Sequence, residues 1–171
     1  MKCNYCELLE LNKNIIYQDN DVVVIVKENL ITMGQVTVFP KKHLTILEML
    51  DNKLVEKCAK IANSVGIAVF EALGVQGTNL LVQNGLGAGQ KTPHFGIEII
   101  PRTENDGLPL QWEPTPAEEY EIETTFSLLK EEEKNLLDMS KPVVKELKID
   151  SKDKELNPKD NYLLKTLRKI P

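Results

Sequence analysis

No stretch of the 171-residue chain approaches the roughly 18 consecutive apolar residues of a membrane span. The opening residues, Met1-Lys2-Cys3-Asn4-Tyr5-Cys6, have no apolar core of a signal peptide, so a cytoplasmic protein without membrane association is expected. Positive charge is not in excess. The formal net charge is −5 and the pI about 5.2, which argues against a protein that coats nucleic acid. There is no internal repeat. With 42% hydrophobic and 27% charged residues, collagen, coiled coil and full disorder are excluded, and the length allows one domain with an extension. Cysteine and histidine are scarce, at three and two. Three cysteines cannot all pair with one another, and a reducing compartment disfavours disulfides.

What is present is unevenly placed. Residues 1–102 carry 10 acids and 10 bases, whereas residues 103–171 carry 16 acids and 11 bases. Both histidines, all three cysteines and eight of the nine glycines lie in the first part. Chemistry is therefore expected in a domain over 1–102, with 103–171 as an acidic extension packed on or beside it.

The periodicity predicts strands at 22–26, 35–39, 78–82 and 94–100, and a long helix over 51–73. Asp51 is its expected N-cap and Gly74 its C-terminal stop, with Leu54, Cys58, Ile61, Val65 and Ala68 on the inner face. Thr45 with Glu48 reads as a further capping box. In the last strand, Phe95, Ile97 and Ile99 share one face, and His94, Gly96 and Glu98 the other. This order predicts an α+β fold with an antiparallel sheet. Beyond it, Leu108, Leu110 and Trp112 alternate as in a short strand. A helix is expected from Pro116, capped by Thr115, toward Asn135. Short amphipathic pieces at 143–147 and 162–167 follow, with a solvated linker over 150–161.

Cys58 reads as a small buried residue. The Cys3/Cys6 pair, a C-x-x-C, has three readings. It is a redox motif, two unconnected thiols, or half of a zinc site completed by His43 and His94.

Three pieces together resemble the histidine triad (HIT) superfamily. They are the N-terminal C-x-x-C, Gly34 with Pro40-Lys41-Lys42-His43, and Asn84-Gly85…Ala88-Gly89-Gln90…Pro93-His94-Phe95 running on to Ile100-Pro101-Arg102. The resemblance covers roughly residues 1–102 and implies a HIT-like antiparallel sheet with a long helix; the extension is expected to be mainly helical from its own pattern. The resemblance also implies a homodimer with one continuous ten-stranded sheet. In that family the Gly-rich loop and triad strand hold a nucleotide α-phosphate, and the middle histidine attacks phosphorus. A zinc-bearing subset carries ligands at the positions of Cys3, Cys6, His43 and His94. A closed shell of this kind makes zinc structural.

The triad is degenerate, reading His94, Gly96, Glu98. Glycine cannot be the nucleophile, and an ionised Glu98 repels phosphate. Lys27 stands where the family has an acid for the ribose hydroxyls. Gln83 stands at the phosphate-side asparagine, with Asn84 one place along. Gly85, Gly89 and Gln90 match the family pattern. Three functions follow from these residues. The first is a zinc-stabilised protein that binds a purine nucleotide or other anion through Gln83, Asn84, Gly85, Gly89, Gln90, Lys91, Gly96 and Lys27 without hydrolysing it. The second is a non-catalytic scaffold, in which Glu98 pairs with Lys27, Lys91 or Arg102 and the extension meets a protein partner. The third is a nucleotidyl hydrolase or transferase that uses Glu98. The extension's helix is expected to cover the dimer or a sheet edge, or else to act as a lid or docking arm.

Overall fold

Residues 22–25 are fully buried in the computed structural model, which describes residues 3–109 and 112–136. An unbroken β-branched run suits a strand covered on both faces, and this one is. The strands are β1 (Ile15–Gln18), β2 (Val22–Val26), β3 (Val36–Pro40), β4 (Gly77–Val82) and β5 (Ile97–Arg102). They form a five-stranded sheet in the order β1-β2-β3-β5-β4, every neighbouring pair antiparallel. Helices α1 (Asn4–Glu10) and α2 (Asn52–Leu73) complete the α+β architecture of this part. Val22, Val24, Val38, Phe95, Ile97 and Ile99 pack with Cys58, Ala62 and Val69 of α2. Val23, Ile25 and Phe39 pack with Cys3 and Tyr5 at the start of α1. Each fully buried valine or isoleucine contributes about 1.5–3 kcal/mol, so the two small cores together anchor the sheet between the helices.

Asp51 caps α2 as expected, its carboxylate accepting the Leu54 N–H at 2.9 Å, and Gly74 ends the helix at φ 63°. Of the expected inner face, Cys58 is buried and Leu54, Ile61 and Val65 pack partly buried on the core, whereas Ala68 is exposed and Ala62, Gly66 and Val69 complete the buried stripe. The Thr45 capping box does not form. Residues Leu47–Met49 make a single 3-10 turn with no side-chain cap at Ile46, and Asn84 takes the Leu47 N–H at 2.8 Å. The last strand starts at Ile97, not at His94. The Phe95 N–H donates to the Leu44 carbonyl at 2.6 Å instead of joining the ladder, whose last β3 pair is Val38 with Ile97. The alternation of faces holds through this segment nonetheless, since Phe95 shares its core with Ile97 and Ile99.

Tertiary contacts divide the chain into two compact units, one ending at Glu104 and a second beginning at Asn105. In the second, the Asp106 side chain accepts the Leu108 N–H at 3.0 Å, a local turn. Leu108 and Trp112 lie in no strand, and Leu110 falls outside the described residues. Helix α3 (Glu119–Leu136) starts later than Thr115-Pro116 predicts. Glu118 takes the capping position, and the Glu121 carboxylate reaches back to its N–H at 3.1 Å, which is half of a capping box. Tyr120, Ile122, Phe126, Leu128 and Leu129 are exposed. The pieces expected at 143–147 and 162–167 and the linker over 150–161 lie outside the described residues.

Candidate metal centre and ligand pocket

The first turn of α1, the end of β3 and the approach to β5 bring Cys3, Cys6, His43 and His94 together, with one ligand atom from each within 4.8 Å of all the others. Cys3 Sγ lies 3.5 Å and Cys6 Sγ 3.6 Å from His94 Nδ1, and Cys6 Sγ lies 3.3 Å from His43 Nδ1. A tetrahedral Cys2His2 zinc shell, with bonds of about 2.0–2.3 Å, sets its ligand atoms about 3.3–3.8 Å apart. The four residues fit that shell in type, and the three sulfur–nitrogen distances above have its spacing. His94 Nε2 sits 2.8 Å from the Pro40 carbonyl. With its proton there, Nδ1 keeps a lone pair for a metal, the usual way an outer partner orients a ligating imidazole. Burial, aided by nearby His43, pulls the His94 pKa down to about 4, so the ring is neutral near pH 7. Burial and the neighbouring Cys3 push the Cys6 thiol up to about 11. Metal binding therefore has to displace a proton from sulfur.

Tyr5, between the two cysteines, links this centre to the triad strand. Its ring stacks on Phe39 at 4.8 Å and lies 5.8 Å from the His94 ring. A Cβ placed on Gly96 would meet Thr37 Cγ2 at 3.1 Å and Tyr5 Cε2 at 3.3 Å. Tyr5 and Thr37 thus bound the space above Gly96. The Tyr5 hydroxyl donates to Glu98 Oε1 at 2.9 Å, and Lys27 Nζ reaches the same oxygen at 2.8 Å. Gln35 Nε2 at 2.7 Å and the Thr37 hydroxyl at 3.1 Å donate to Oε2. A carboxylate has about four acceptor sites, and Glu98 has a donor for each. Burial, then the Glu98 charge, raises the Tyr5 pKa above its ordinary value, so the phenol is a neutral donor and a poor nucleophile.

The Gly-rich loop turns at Gly85 (φ 90°) and Gly89 (φ 81°), conformations that favour glycine. Gln90 holds the loop from inside, accepting the Gly85 N–H at 2.8 Å and donating to the carbonyls of Thr45 (2.7 Å) and Thr92 (2.9 Å). A cavity of about 80 Å3 opens between loop and strand, lined by Tyr5, Lys27, Gln83, Gln90, Lys91, Thr92, His94, Gly96 and Glu98. Of the residues expected to bind phosphate, Lys27, Gln83, Gln90, Lys91 and Gly96 come together here. Asn84, Gly85 and Gly89 do not line the cavity. Asn84 is engaged elsewhere, its Nδ2 donating to both Glu48 oxygens at 2.7 Å. Of the three cations weighed for Glu98, Lys27 is the partner, while Arg102 donates to Asn79 at 2.7 Å.

Sequence reasoning did not single out Tyr5, Gln35 or Thr37 as site residues. Position 37 carried one usable signal. Thr37 is the polar residue of an otherwise apolar strand, and in the sheet it is buried directly opposite Glu98.

The HIT domain family model matches residues 9–105. An uncharacterized HIT-like protein of Borreliella burgdorferi is 33% identical over 112 residues, covering 62% of this chain and 79% of that one. A zinc-bound histidine triad family protein from Mycobacterium smegmatis has a TM-score of 0.59 at 23% identity, over 79% of this chain and 98% of the other. A hypothetical histidine triad nucleotide-binding protein from Sulfolobus tokodaii gives 0.58 at 25% identity, over 78% and 93%. The sheet order, the four-ligand cluster and a match over more than half of the residues agree, and the chain belongs to the HIT domain family.

Proposed function

We propose that this protein binds a nucleotide-type anion in the cavity beside β5, around a structural zinc, and does not turn it over through a covalent intermediate. The observation that carries the reading is at Gly96. The position has no side chain, and Tyr5 and Thr37 bound the space above it. Glu98, the remaining candidate nucleophile, is saturated by four donors and holds structure together instead. Lys91 lines the cavity with no ion-pair partner among the described residues, so it is the cation available to a phosphate. Gln83 and Thr92 add polar groups to the cavity, while Gln90 braces the loop from inside and Gly85 and Gly89 give it its shape. Lys27, at the ribose-acid position, is tied to Glu98 and contributes charge balance. Asn84, bonded to Glu48, supports the reading only by bracing the loop.

Zinc fits Cys3, Cys6, His43 and His94. With all four positions protein-filled, its contribution is to tie the start of α1 to the end of β3 and the approach to β5. A homodimer is part of the reading, supported by the exposed Leu80 and Val82 on edge strand β4. So is a cytoplasmic location, which suits three cysteines with no disulfide among them. A scaffold function is the second reading. It is favoured by the exposed apolar side chains of α3, which a protein partner would cover.

The test is incubation of zinc-loaded protein with an adenylyl ester, followed by intact-mass analysis and product assay. The expected result is no adduct and no turnover above the uncatalysed rate. Turnover that disappears in Glu98→Gln would overturn the reading in favour of a Glu98-dependent enzyme.

A further inference from the structure

A second cavity, of about 340 Å3, lies at the Pro40 end of β3 and shares no lining residue with the first. It is lined from three elements. The turn before β2 supplies Asp21, the end of β3 supplies Lys41 and Lys42, and the first turns of α2 supply Asp51, Lys53 and Lys57. The four lysines are not equivalent. Lys57 is neutralised, its Nζ lying 2.6 Å from Asp21 and 3.0 Å from Asp19. These two acids are thereby engaged. The third, Asp51, caps α2 through the Leu54 N–H. Lys41, Lys42 and Lys53 have no ion-pair or side-chain hydrogen-bond partner among the described residues. The Lys41 N–H is bonded to the Asp21 carbonyl at 2.7 Å, which fixes this lysine against the turn.

We infer that this cleft is a separate binding site for a small ligand carrying two or more phosphate or carboxylate groups. Four lysines line the cleft against two carboxylates, Asp21 and Asp51, and a bound polyanion balances the excess positive charge gathered on this concave surface. The chemistry favours a small ligand over nucleic acid, because the charge is concentrated in a cleft and not along a stripe.

Inorganic pyrophosphate is the probe, titrated into the zinc-loaded full chain at low salt with amide chemical shifts recorded. A group of shifts is expected at residues 41–42 and 53–57, separate from any at the first cavity around Lys91. Lys53→Glu should weaken binding about tenfold or more, the effect of losing a charge-assisted contact. An acid at the second position of a helix suits the helix dipole, so this variant should fold. Lys42→Glu, outside any helix, is the independent second variant. Lys91→Ala, in the first cavity, should leave pyrophosphate binding here unchanged. Three results would overturn the assignment. They are no binding at millimolar pyrophosphate, binding lost in Lys91→Ala but kept in both glutamate variants, and duplex DNA outcompeting pyrophosphate for the cleft. Failure of AMP to bind the first cavity would leave this assignment intact, since the two sites share no residue.

Discussion

Replacing Glu98 by glutamine keeps the side-chain shape and removes the charge and one acceptor oxygen. The carboxylate receives four hydrogen bonds, from Tyr5, Lys27, Gln35 and Thr37. A glutamine oxygen can accept two of them, and its amide nitrogen must face the other pair. The Tyr5 and Thr37 hydroxyls can rotate to accept, but Lys27 Nζ and Gln35 Nε2 cannot. Gln35 cannot flip without cost, because its Oε1 accepts the Ile31 N–H at 2.7 Å. The best arrangement therefore keeps the oxygen on Lys27 and leaves Gln35, fully inside the protein, with an unpaired donor. An orphaned buried donor costs about 1–3 kcal/mol, and loss of charge on the remaining bonds adds to this. Lys27 is partly exposed, so its share is reduced by solvent. The sum is about 2–4 kcal/mol of stability lost. Urea unfolding of wild type and variant, with m-values compared, measures it. A loss below about 1 kcal/mol would refute the claim that Glu98 is a saturated structural group. A double-mutant cycle with Lys27→Met should show coupling between the two positions.

Three further outcomes are expected. Cys6→Ser should lower bound zinc well below one per chain and reduce the melting temperature, and metal analysis with a thermal melt would show it. Asp51→Ala should destabilise by about 1 kcal/mol in chemical denaturation, through the lost cap on Leu54 N–H. Burial of the Asp19 carboxyl acts to raise its pKa, but the N–H groups of Asp21 and Val22, with Lys57 and Tyr17, outweigh that and hold it below the ordinary carboxylate value. A lowered folded pKa means the unfolded chain takes up the proton first. The associated stability is therefore complete above the unfolded carboxylate pKa near 4 and is lost as pH falls below it. Asp19→Asn should flatten the acid limb of a stability–pH curve.

The sheet and α2 were legible because their signals are local. Residues 22–25 form a β-branched run, Asp51 and Gly74 bracket a helical period, and the β5 alternation survives the shift of its start to Ile97. Helix α1 and strand β1 were not legible. Helix α1 has seven residues and no side-chain cap at Cys3, and β1 has four residues with an irregular register, so neither has room for a period. The four residues that come together as Cys3, Cys6, His43 and His94 could be named from residue type, order and family resemblance. The Glu98 network could not, because Tyr5 meets Glu98 across 93 positions and nothing in its own neighbourhood marks it. Asn84 shows the opposite failure. Its place beside the Gly-rich loop pointed to phosphate, while the fold gave its amide to Glu48 and the Leu47 N–H.

The central claim, a surviving anion pocket without a nucleophile, is tested most directly by calorimetric titration of AMP into the zinc-loaded protein, with Gly89→Val as the control. In that variant a side chain at φ 81° would press on Gln83 Nε2, which lies 2.8 Å from the added Cβ. The account predicts micromolar binding to the wild type, loss of that binding in the folded variant, and AMP recovered unchanged. No heat up to millimolar AMP, or equal binding by Gly89→Val, would contradict it.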